Sequence, residues 1–153
     1  MITWREKMSI DNGGIIDQDH KHLIEIINRF GETAADGLDN EEAAAILYAL
    51  KFYTQTHFGR EEQLQNLVSF PYADAHHHEH ANLIKTLEPA IQHFKESDGE
   101  QQERLHGEIQ EMLHDWLINH ILSSDLKMRM YVDAMKKHSS IFGALKDLEV
   151  DVS

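Results

Sequence analysis

The sequence predicts an all-α protein, an antiparallel up-down four-helix bundle with an N-terminal arm and a short C-terminal helical extension. Three observations predict it: the 153 residues contain only two prolines, turn-forming residues occur in clusters, and apolar residues recur at helical rather than strand spacing. Four predicted helices of roughly 20 residues joined by short turns favour antiparallel packing around one core. We expect a bundle domain over residues 1–137 and a tail over residues 138–153.

The first predicted helix follows an irregular arm that ends in DNGG. Asp17 is a suitable N-cap residue, and Gly37 marks the end of the helix. One face between them carries His20, Leu23, Ile24, Ile27 and Phe30. A histidine therefore interrupts an otherwise apolar face.

The second predicted helix begins in LDNEEAAAILYAL, where Asp39 and Glu42 have the spacing of a capping box, and it ends before Pro71. Its inward face carries Ile46, Leu50, Tyr53, His57, Glu61 and Leu64. His57 and Glu61 lie one turn apart on this face, so two more polar side chains are expected in the core.

The third predicted helix runs from about Asp74 to Ser97, and a kink in it would fall at Pro89. The turn SDGE leads into the fourth helix. The inward face of the fourth helix carries Leu105, Ile109, Met112, Leu113, Trp116 and His120. The fourth helix therefore also has a histidine on its apolar face.

A shorter fifth helix is predicted from Leu126 to Lys137. Beyond it, Ile141, Leu145 and Leu148 have amphipathic spacing. This last stretch either packs on the bundle, docks a protein partner or leads into a further domain. The sequence leaves these alternatives open.

Composition excludes several classes of function. The chain has 14 basic and 27 acidic residues, a formal net charge of -13, so nucleic acid and anionic membrane surfaces are not expected partners. It has no cysteine, which excludes disulfides and thiolate metal sites. No apolar run has the length of a signal peptide or a membrane span, and a cytoplasmic protein is expected.

Residues 76–80 read HHHEH, and helical geometry separates the four histidines. At about 100° per residue, His80 lies about 40° from His76, whereas His77 and His78 lie about 100° and 200° away. The apolar residues within about 20° of His76 are Leu83, Leu87 and Phe94. His76 and His80 are therefore expected to point inward.

The inward histidines recur on every helix, which predicts a metal site. Each unsatisfied polar group in a bundle core would cost roughly 1 to 3 kcal/mol. A single such histidine is most simply a hydrogen-bonded core residue, but a set on all four helices is not. The candidate ligands on these faces are His20, His57, Glu61, His76, His80 and His120. Nitrogen and oxygen ligands leave iron, manganese, zinc, copper and nickel open.

Asp125 is a less obvious candidate ligand. It follows His120 by five residues, which on a regular helix would turn it about 140° from the inward face. The fourth helix must bulge or end within residues 122–124 if Asp125 is to face the other ligands. Taken alone, Asp125 is most simply a solvated residue at the start of the next helix.

Four motifs resemble those of the hemerythrin family: IIDQDHKHL, HFGREE, HHHEHANL and WLINHILSSD. They occur in the family's order, and the similarity covers about residues 4–131, including Trp4 in the N-terminal arm. Three departures are visible. Leu83 stands where an aromatic residue is common, the first motif reads DQDH where DxQH is usual, and the tail beyond Lys137 is outside the family's pattern.

The resemblance implies a non-haem di-iron site with an oxo or hydroxo bridge. One iron would be bound by His76, His80 and His120, the other by His20 and His57, with Glu61 and Asp125 bridging both. These ligands leave one coordination position open, on the iron with two histidines. The implied ligand at that position is dioxygen.

The function implied is reversible binding of dioxygen for storage, delivery or scavenging, without enzymatic activity. Family residues that line the oxygen pocket correspond to Leu23, Phe58 and Leu117, for which ordinary core packing is an equal alternative. A sensor of oxygen, nitric oxide or redox state that acts on a partner through the tail is the second hypothesis. A peroxidase or oxidase and a structural zinc site are the others.

The remaining histidines are predicted to lie outside the site. His106 is on the inward face of the fourth helix, but about 21 Å along it from His120. Those expected to face solvent or fall in the tail are His22, His77, His78, His93, His114 and His138.

Overall fold

A computed structural model describes residues 1–35 and 40–139. Within these ranges the chain is helical, as predicted. The four main helices are α1 (Ile15–Ala35), α2 (Asn40–Leu67), α3 (Ala73–Glu96) and α4 (Gly99–Asn119). They form a four-helix bundle in which α1 packs on α2 and α4, and α3 packs on α2 and α4.

The end of α4 departs from regular helix. A π-helical turn, His120–Ser124, follows α4 and is called the π-turn below. A 3-10 turn, Asp125–Met128, leads from it into α5 (Arg129–Ser139). The predicted short fifth helix is therefore confirmed, while Ile141, Leu145 and Leu148 lie outside the described residues.

The predicted start of α1 was wrong. Asp17 lies inside the helix, and Asp11 caps it, because the Asp11 carboxylate accepts the backbone N–H groups of Ile16 and Asp17 at 2.9 and 3.0 Å. The turn at Asn12 and Gly13, both with positive φ, brings Asp11 to the helix end. The Asp17 carboxylate instead accepts hydrogen bonds from the preceding arm.

Other predicted boundaries are close to those observed. α2 ends at Leu67, shortly before Pro71, and α3 continues as helix through the exposed Pro89. The predicted end of α1 at Gly37 and the capping residue Asp39 lie outside the described residues.

Two apolar clusters surround the centre of the bundle. The larger lies among α1 to α4, where Phe30 and Phe94 meet edge to face at 5.7 Å, and Trp4 of the arm packs against it. The smaller joins the arm to α5. Its buried members are Ile10, Ile16, Phe70, Met128 and Val132. None of the described helices is long and apolar enough to cross a membrane.

Candidate metal centre

The structure brings all seven predicted side chains together in the bundle core. We call them the seven-residue cluster. Each is at most 3 % exposed. They are His20 from α1, His57 and Glu61 from α2, His76 and His80 from α3, His120 at the start of the π-turn and Asp125 directly after it.

The seven-residue cluster divides into two groups that share both carboxylates. Within each group the candidate ligand atoms lie within 4.8 Å of one another. One group consists of Glu61, His76, His80, His120 and Asp125, and the other of His20, His57, Glu61 and Asp125. The donor set can therefore hold two metal ions with two carboxylates between them.

Asp125 faces both groups of histidines. Its Oδ2 lies 2.9 Å from His20 Nε2, while its Oδ1 lies 2.8 Å from His76 Nε2 and 3.1 Å from His120 Nε2. One carboxylate thus reaches α1 with one oxygen and both α3 and the π-turn with the other.

Glu61 spans the same two groups from α2. Its Oε2 lies 2.5 Å from His57 Nε2 and 3.7 Å from His20 Nε2. Its Oε1 lies 3.2 Å from His76 Nε2 and 3.7 Å from His80 Nε2. The two carboxylates therefore lie between the histidine nitrogens of all four helices.

Many of these buried atoms have no hydrogen bond, which fits a metal site. The atoms without a partner include Nε2 of His20, His57, His80 and His120, both carboxylate oxygens of Glu61, and Oδ2 of Asp125. Each would carry a desolvation cost in an apolar core. Metal ions bound by the two groups of ligand atoms would satisfy these unpaired nitrogen and oxygen atoms.

The metal-free cluster favours positive charge. Burial alone would lower the pKa of His20 and of His76, but the nearby carboxylates of Asp125 and Glu61 raise both pKa values to about 9. The histidines in turn lower the pKa of Asp125 to about 2, against burial and the repulsion from Glu61. Without metal, protons supply the positive charge that metal ions would bring, so metal binding must displace them.

The π-turn explains how Asp125 reaches the seven-residue cluster. The backbone N–H of Asp125 donates to the carbonyl of His120, five residues earlier, as well as to that of Ile121. This wider turn supplies the extra rotation that a regular helix lacks, and Asp125 is fully buried. The predicted bulge after His120 is confirmed.

Sequence reasoning missed Asp19, whose carboxylate lies at Nδ1 of His57, the ring nitrogen that faces away from the seven-residue cluster. Asp19 is 1 % exposed, and its Oδ2 lies 2.9 Å from His57 Nδ1. Arg60 donates to both of its oxygens at 2.8 and 2.7 Å, and the Tyr53 hydroxyl donates at 2.7 Å. These donors hold the pKa of Asp19 well below its usual range. The sequence signal for Asp19 was the unusual first motif, which reads DQDH where DxQH is usual.

Sequence reasoning also missed Glu79, which supports His120. Its Oε1 lies 3.2 Å from His120 Nδ1, and the Ser124 hydroxyl donates to both of its carboxylate oxygens. These hydrogen bonds and the charge of His120 lower the pKa of Glu79. A carboxylate on the outer nitrogen of a ligand histidine fixes the tautomer that leaves Nε2 free for metal.

Apolar side chains border the seven-residue cluster on the side of the larger apolar core. Phe58 stacks on the ring of His80 with centroids 3.7 Å apart. Leu23 and Leu117 are 1 % and 0 % exposed and belong to the main core. Leu83, where the family commonly has an aromatic residue, borders a cavity of about 110 Å³ between α2, α3 and α4.

The other described histidines stay outside the cluster. His106 is buried, and its Nε2 lies 2.8 Å from the Phe30 carbonyl oxygen and 3.0 Å from the Thr33 hydroxyl, so it is a hydrogen-bonded core residue. The predicted exposure is confirmed for His22, His77, His78, His93 and His114. The side chain of His138 lies outside the described part.

Comparison with known proteins agrees with these observations. The model of the hemerythrin HHE cation binding domain matches residues 14–132. The chain is 28 % identical over 142 residues to the bacteriohemerythrin of Stenotrophomonas maltophilia, covering 93 % of this chain and 86 % of the relative. It is 30 % identical over 141 residues to the bacteriohemerythrin of Clostridium acetobutylicum, covering 87 % and 100 %.

A solved structure shows the same fold. A crystal structure of a leucine-to-phenylalanine mutant protein superposes with a TM-score of 0.69 at 24 % identity, covering 86 % of this chain and 97 % of that one. At this identity the likeness extends to the arrangement of helices alone.

Proposed function

The chain belongs to the hemerythrin family, and we propose that it binds dioxygen reversibly at two iron ions held by the seven-residue cluster. One observation carries the proposal: two groups of buried ligand atoms share Glu61 and Asp125. The oxygens of each shared carboxylate together reach histidines of both groups, an arrangement suited to two neighbouring ions. A single structural ion would leave the other group of buried atoms unsatisfied.

The two groups give the proposed assignment of ligands. An oxo or hydroxo group would complete the bridge between the ions. One ion would be held by His76, His80 and His120, the other by His20 and His57, and both by Glu61 and Asp125, in keeping with the two groups of ligand atoms. The group with two histidines has one ligand fewer, so we expect dioxygen on the side of α1 and α2.

A bound iron pair would supply the redox chemistry of reversible dioxygen binding, a two-electron transfer to dioxygen that is reversed on its release. The protein keeps this exchange reversible by excluding water and controlling the ring nitrogens. Phe58, stacked on His80, and the buried Leu23 and Leu117 are proposed to keep water from the ligand. The outer carboxylates Asp19 and Glu79 keep the inner nitrogens of two ligand histidines free.

The donor set also supports binding rather than enzymatic oxidation. Di-iron bundles that activate oxygen use several Glu ligands with Glu-x-x-His pairs. This seven-residue cluster has five imidazoles and two carboxylates. Less negative charge on the metal favours the ferrous state and release of oxygen.

The decisive experiment is a visible spectrum of protein loaded anaerobically with ferrous iron, recorded before air, after air and after oxygen is removed. We expect charge-transfer bands that appear with air and disappear on deoxygenation. The matched variants are His76→Ala, which removes a proposed ligand, and His78→Ala, which removes an exposed neighbour on the same helix. Only His76→Ala should lose the bands.

Other results would contradict the proposal. Bands that persist after deoxygenation would indicate oxidation without reversible binding. Metal analysis of natively purified protein that finds zinc and no iron would indicate a structural site. Sustained turnover of peroxide or ferrous iron would indicate a peroxidase or oxidase.

A sensory role is the second candidate, and one observation favours it. Asp125 continues through the 3-10 turn into α5, so a proposed ligand is joined directly to the helix that precedes the tail. Met128 and Val132 anchor that connection in the smaller core. A change at the metal site has a short route to residues 140–153, which would contact a protein partner.

Removing residues 138–153, the predicted tail, tests the sensory role. A tail coupled to the site must alter oxygen affinity when it is deleted, because coupling between two sites is reciprocal. Affinity and thermal stability equal to those of the full chain would contradict it and leave the simple oxygen-binding role.

A further inference from the structure

We propose that Glu79 is a positioning residue that binds both ends of the π-turn and thereby holds His120 and Asp125 in place for the metal. The inference rests on the proposed function, since these two side chains are ligands only there. Glu79 lies within HHHEH, next to His80, yet it is not a member of the seven-residue cluster.

The contacts of Glu79 reach both ends of the turn. The Ser124 hydroxyl, at the last residue of the π-turn, donates to Oε2 at 2.7 Å and to Oε1 at 2.9 Å. His120, at the first residue, places Nδ1 3.2 Å from the same Oε1. One side chain from α3 therefore joins two points of the turn, four residues apart in sequence.

The turn requires such support because of what it does. A π-turn is rare in helices and persists where the surroundings stabilise it. Here it converts a five-residue separation into a common direction for His120 and Asp125, which lie 3.1 Å apart at Nε2 and Oδ1. If the turn relaxed to regular α-helix, Asp125 would rotate about 140° away from His120.

The position of Glu79 also makes its charge felt at the metal. Its side chain is 38 % exposed, whereas the ring of His120 is 1 % exposed. A carboxylate on Nδ1 fixes the tautomer of the ring and makes Nε2 a better donor. Removing the charge should therefore raise the reduction potential of a bound iron pair, even if the geometry is kept.

Four variants separate position from charge. Glu79→Ala removes both contacts, and Ser124→Ala loosens the far end of the turn while it keeps the charge. Glu79→Gln keeps an oxygen acceptor but removes the charge. The control is Glu88→Gln, a neutralisation on the same helix that affects a surface ion pair with Lys51 at 2.8 Å.

Metal-free protein supplies the first readout, backbone hydrogen exchange. The N–H of Asp125 donates to the carbonyls of His120 and Ile121 at the end of the π-turn, so its exchange rate reports opening of both hydrogen bonds there. We expect exchange about tenfold faster in Glu79→Ala and in Ser124→Ala, consistent with loss of hydrogen bonds of ordinary strength. Glu88→Gln should match wild type.

Iron-loaded protein supplies two further readouts. They are the rate of iron release to a chelator and the reduction potential. Glu79→Ala should release iron about tenfold faster, the usual effect of losing an outer partner of a metal ligand. Glu79→Gln should raise the potential with a smaller effect on release. Ser124→Ala should accelerate release and leave the potential close to that of wild type.

Unchanged exchange at Asp125 in both Glu79→Ala and Ser124→Ala would overturn the role in holding the turn. A potential in Glu79→Gln equal to that in Glu88→Gln would overturn the influence on the metal. Because the exchange measurement uses no metal and no oxygen, it stands even if the spectrum of the loaded protein refutes oxygen binding. The two failures are thus distinguishable.

Discussion

The two outer carboxylates of the site, Asp19 and Glu79, perform the same task in different surroundings. Asp19 is 1 % exposed and accepts hydrogen bonds from Arg60 and Tyr53 as well as facing His57. Glu79 is 38 % exposed and holds His120 together with a serine of the π-turn. The comparison teaches that one side of the site is fixed inside regular helices, and the other depends on an irregular turn near the surface.

This difference follows from how each ligand is presented. His57 and Glu61 are one turn apart on α2, and a regular helix places them on one face without assistance. His120 and Asp125 are five residues apart and share a face only because of the π-turn. The α2 side needs its carboxylate to orient a ring, whereas the α4 side needs one to maintain the backbone as well.

Removing the shared carboxylate Glu61 should give the largest effect, because both sides of the site lose a ligand and the difference between them disappears. Glu61→Ala takes a ligand from both groups, so we expect both iron ions to be lost. Metal analysis after dialysis measures this. The matched control is Gln63→Ala, an exposed position on the same helix. Retention of both ions by Glu61→Ala would contradict the sharing of Glu61.

Asp19→Asn should have the next largest effect and should exceed that of Glu79→Gln. The substitution removes the charge that pairs with the partly buried Arg60, and the interior screens that loss poorly. We expect iron release about 10- to 100-fold faster, with a loss of stability in urea of about 1 to 3 kcal/mol for the metal-free chain. Equal effects of Asp19→Asn and Glu79→Gln would contradict the contrast between a buried and an exposed support.

Raising the pH should destabilise the metal-free protein on both sides of the site. His20 and His76, one from each group, have pKa values raised to about 9 in the fold by Asp125 and Glu61. A raised pKa adds stability below the unfolded value of about 6.5, and that stability is lost as the pH rises through about 9. Urea unfolding at pH 6, 8 and 10 should show this decline.

Metal loading provides the control for that pH dependence. Bound metal replaces the protons on the histidines, so the loaded protein should not lose stability between pH 6 and about 9. Metal-free stability that rises over the same range would show that the histidines are not protonated in the fold.

Leu117→Asn tests the apolar boundary of the site rather than its outer carboxylates. Leu117 is fully buried, and it lies one turn before His120. A polar group there should admit water, leave the iron content intact and accelerate autoxidation about tenfold, a change of about 1.4 kcal/mol in the barrier. Loss of iron, or an unchanged rate of autoxidation, would show that Leu117 is ordinary core packing.

Periodicity was sufficient to predict most of the fold and the inward faces. The inward face of α3, with His76 and His80 buried and His77 and His78 exposed, followed from helical rotation alone. The start of α1 did not, because Asp11 and Asp17 are equally good capping residues by type. Only the turn at Gly13 decides between them.

The supporting residues were beyond the reach of sequence reasoning for a different reason. The contacts of Asp19 with Arg60 and of Glu79 with Ser124 join residues 41 and 45 positions apart. Helical periodicity assigns a face to each residue but does not say which side chains meet across the bundle. By contrast, the bulge before Asp125 was predictable once the family resemblance made Asp125 a candidate ligand, because a five-residue spacing on a regular helix turns Asp125 away from the face of His120.

Tyr53→Phe should give the smallest effect of these substitutions. It is also the most sensitive test of the contrast between the buried support, Asp19, and the exposed support, Glu79. The Tyr53 hydroxyl donates to Asp19 at 2.7 Å, and burial beside that carboxylate raises its pKa to about 12, so it remains a donor at ordinary pH. Phenylalanine removes this donor, but Arg60 still donates to both oxygens of Asp19. We expect a loss of about 1 kcal/mol in urea unfolding and iron release within about twofold of wild type. Iron release as fast as in Asp19→Asn would mean that Asp19 depends on each donor, so that the buried support would be as fragile as the exposed one.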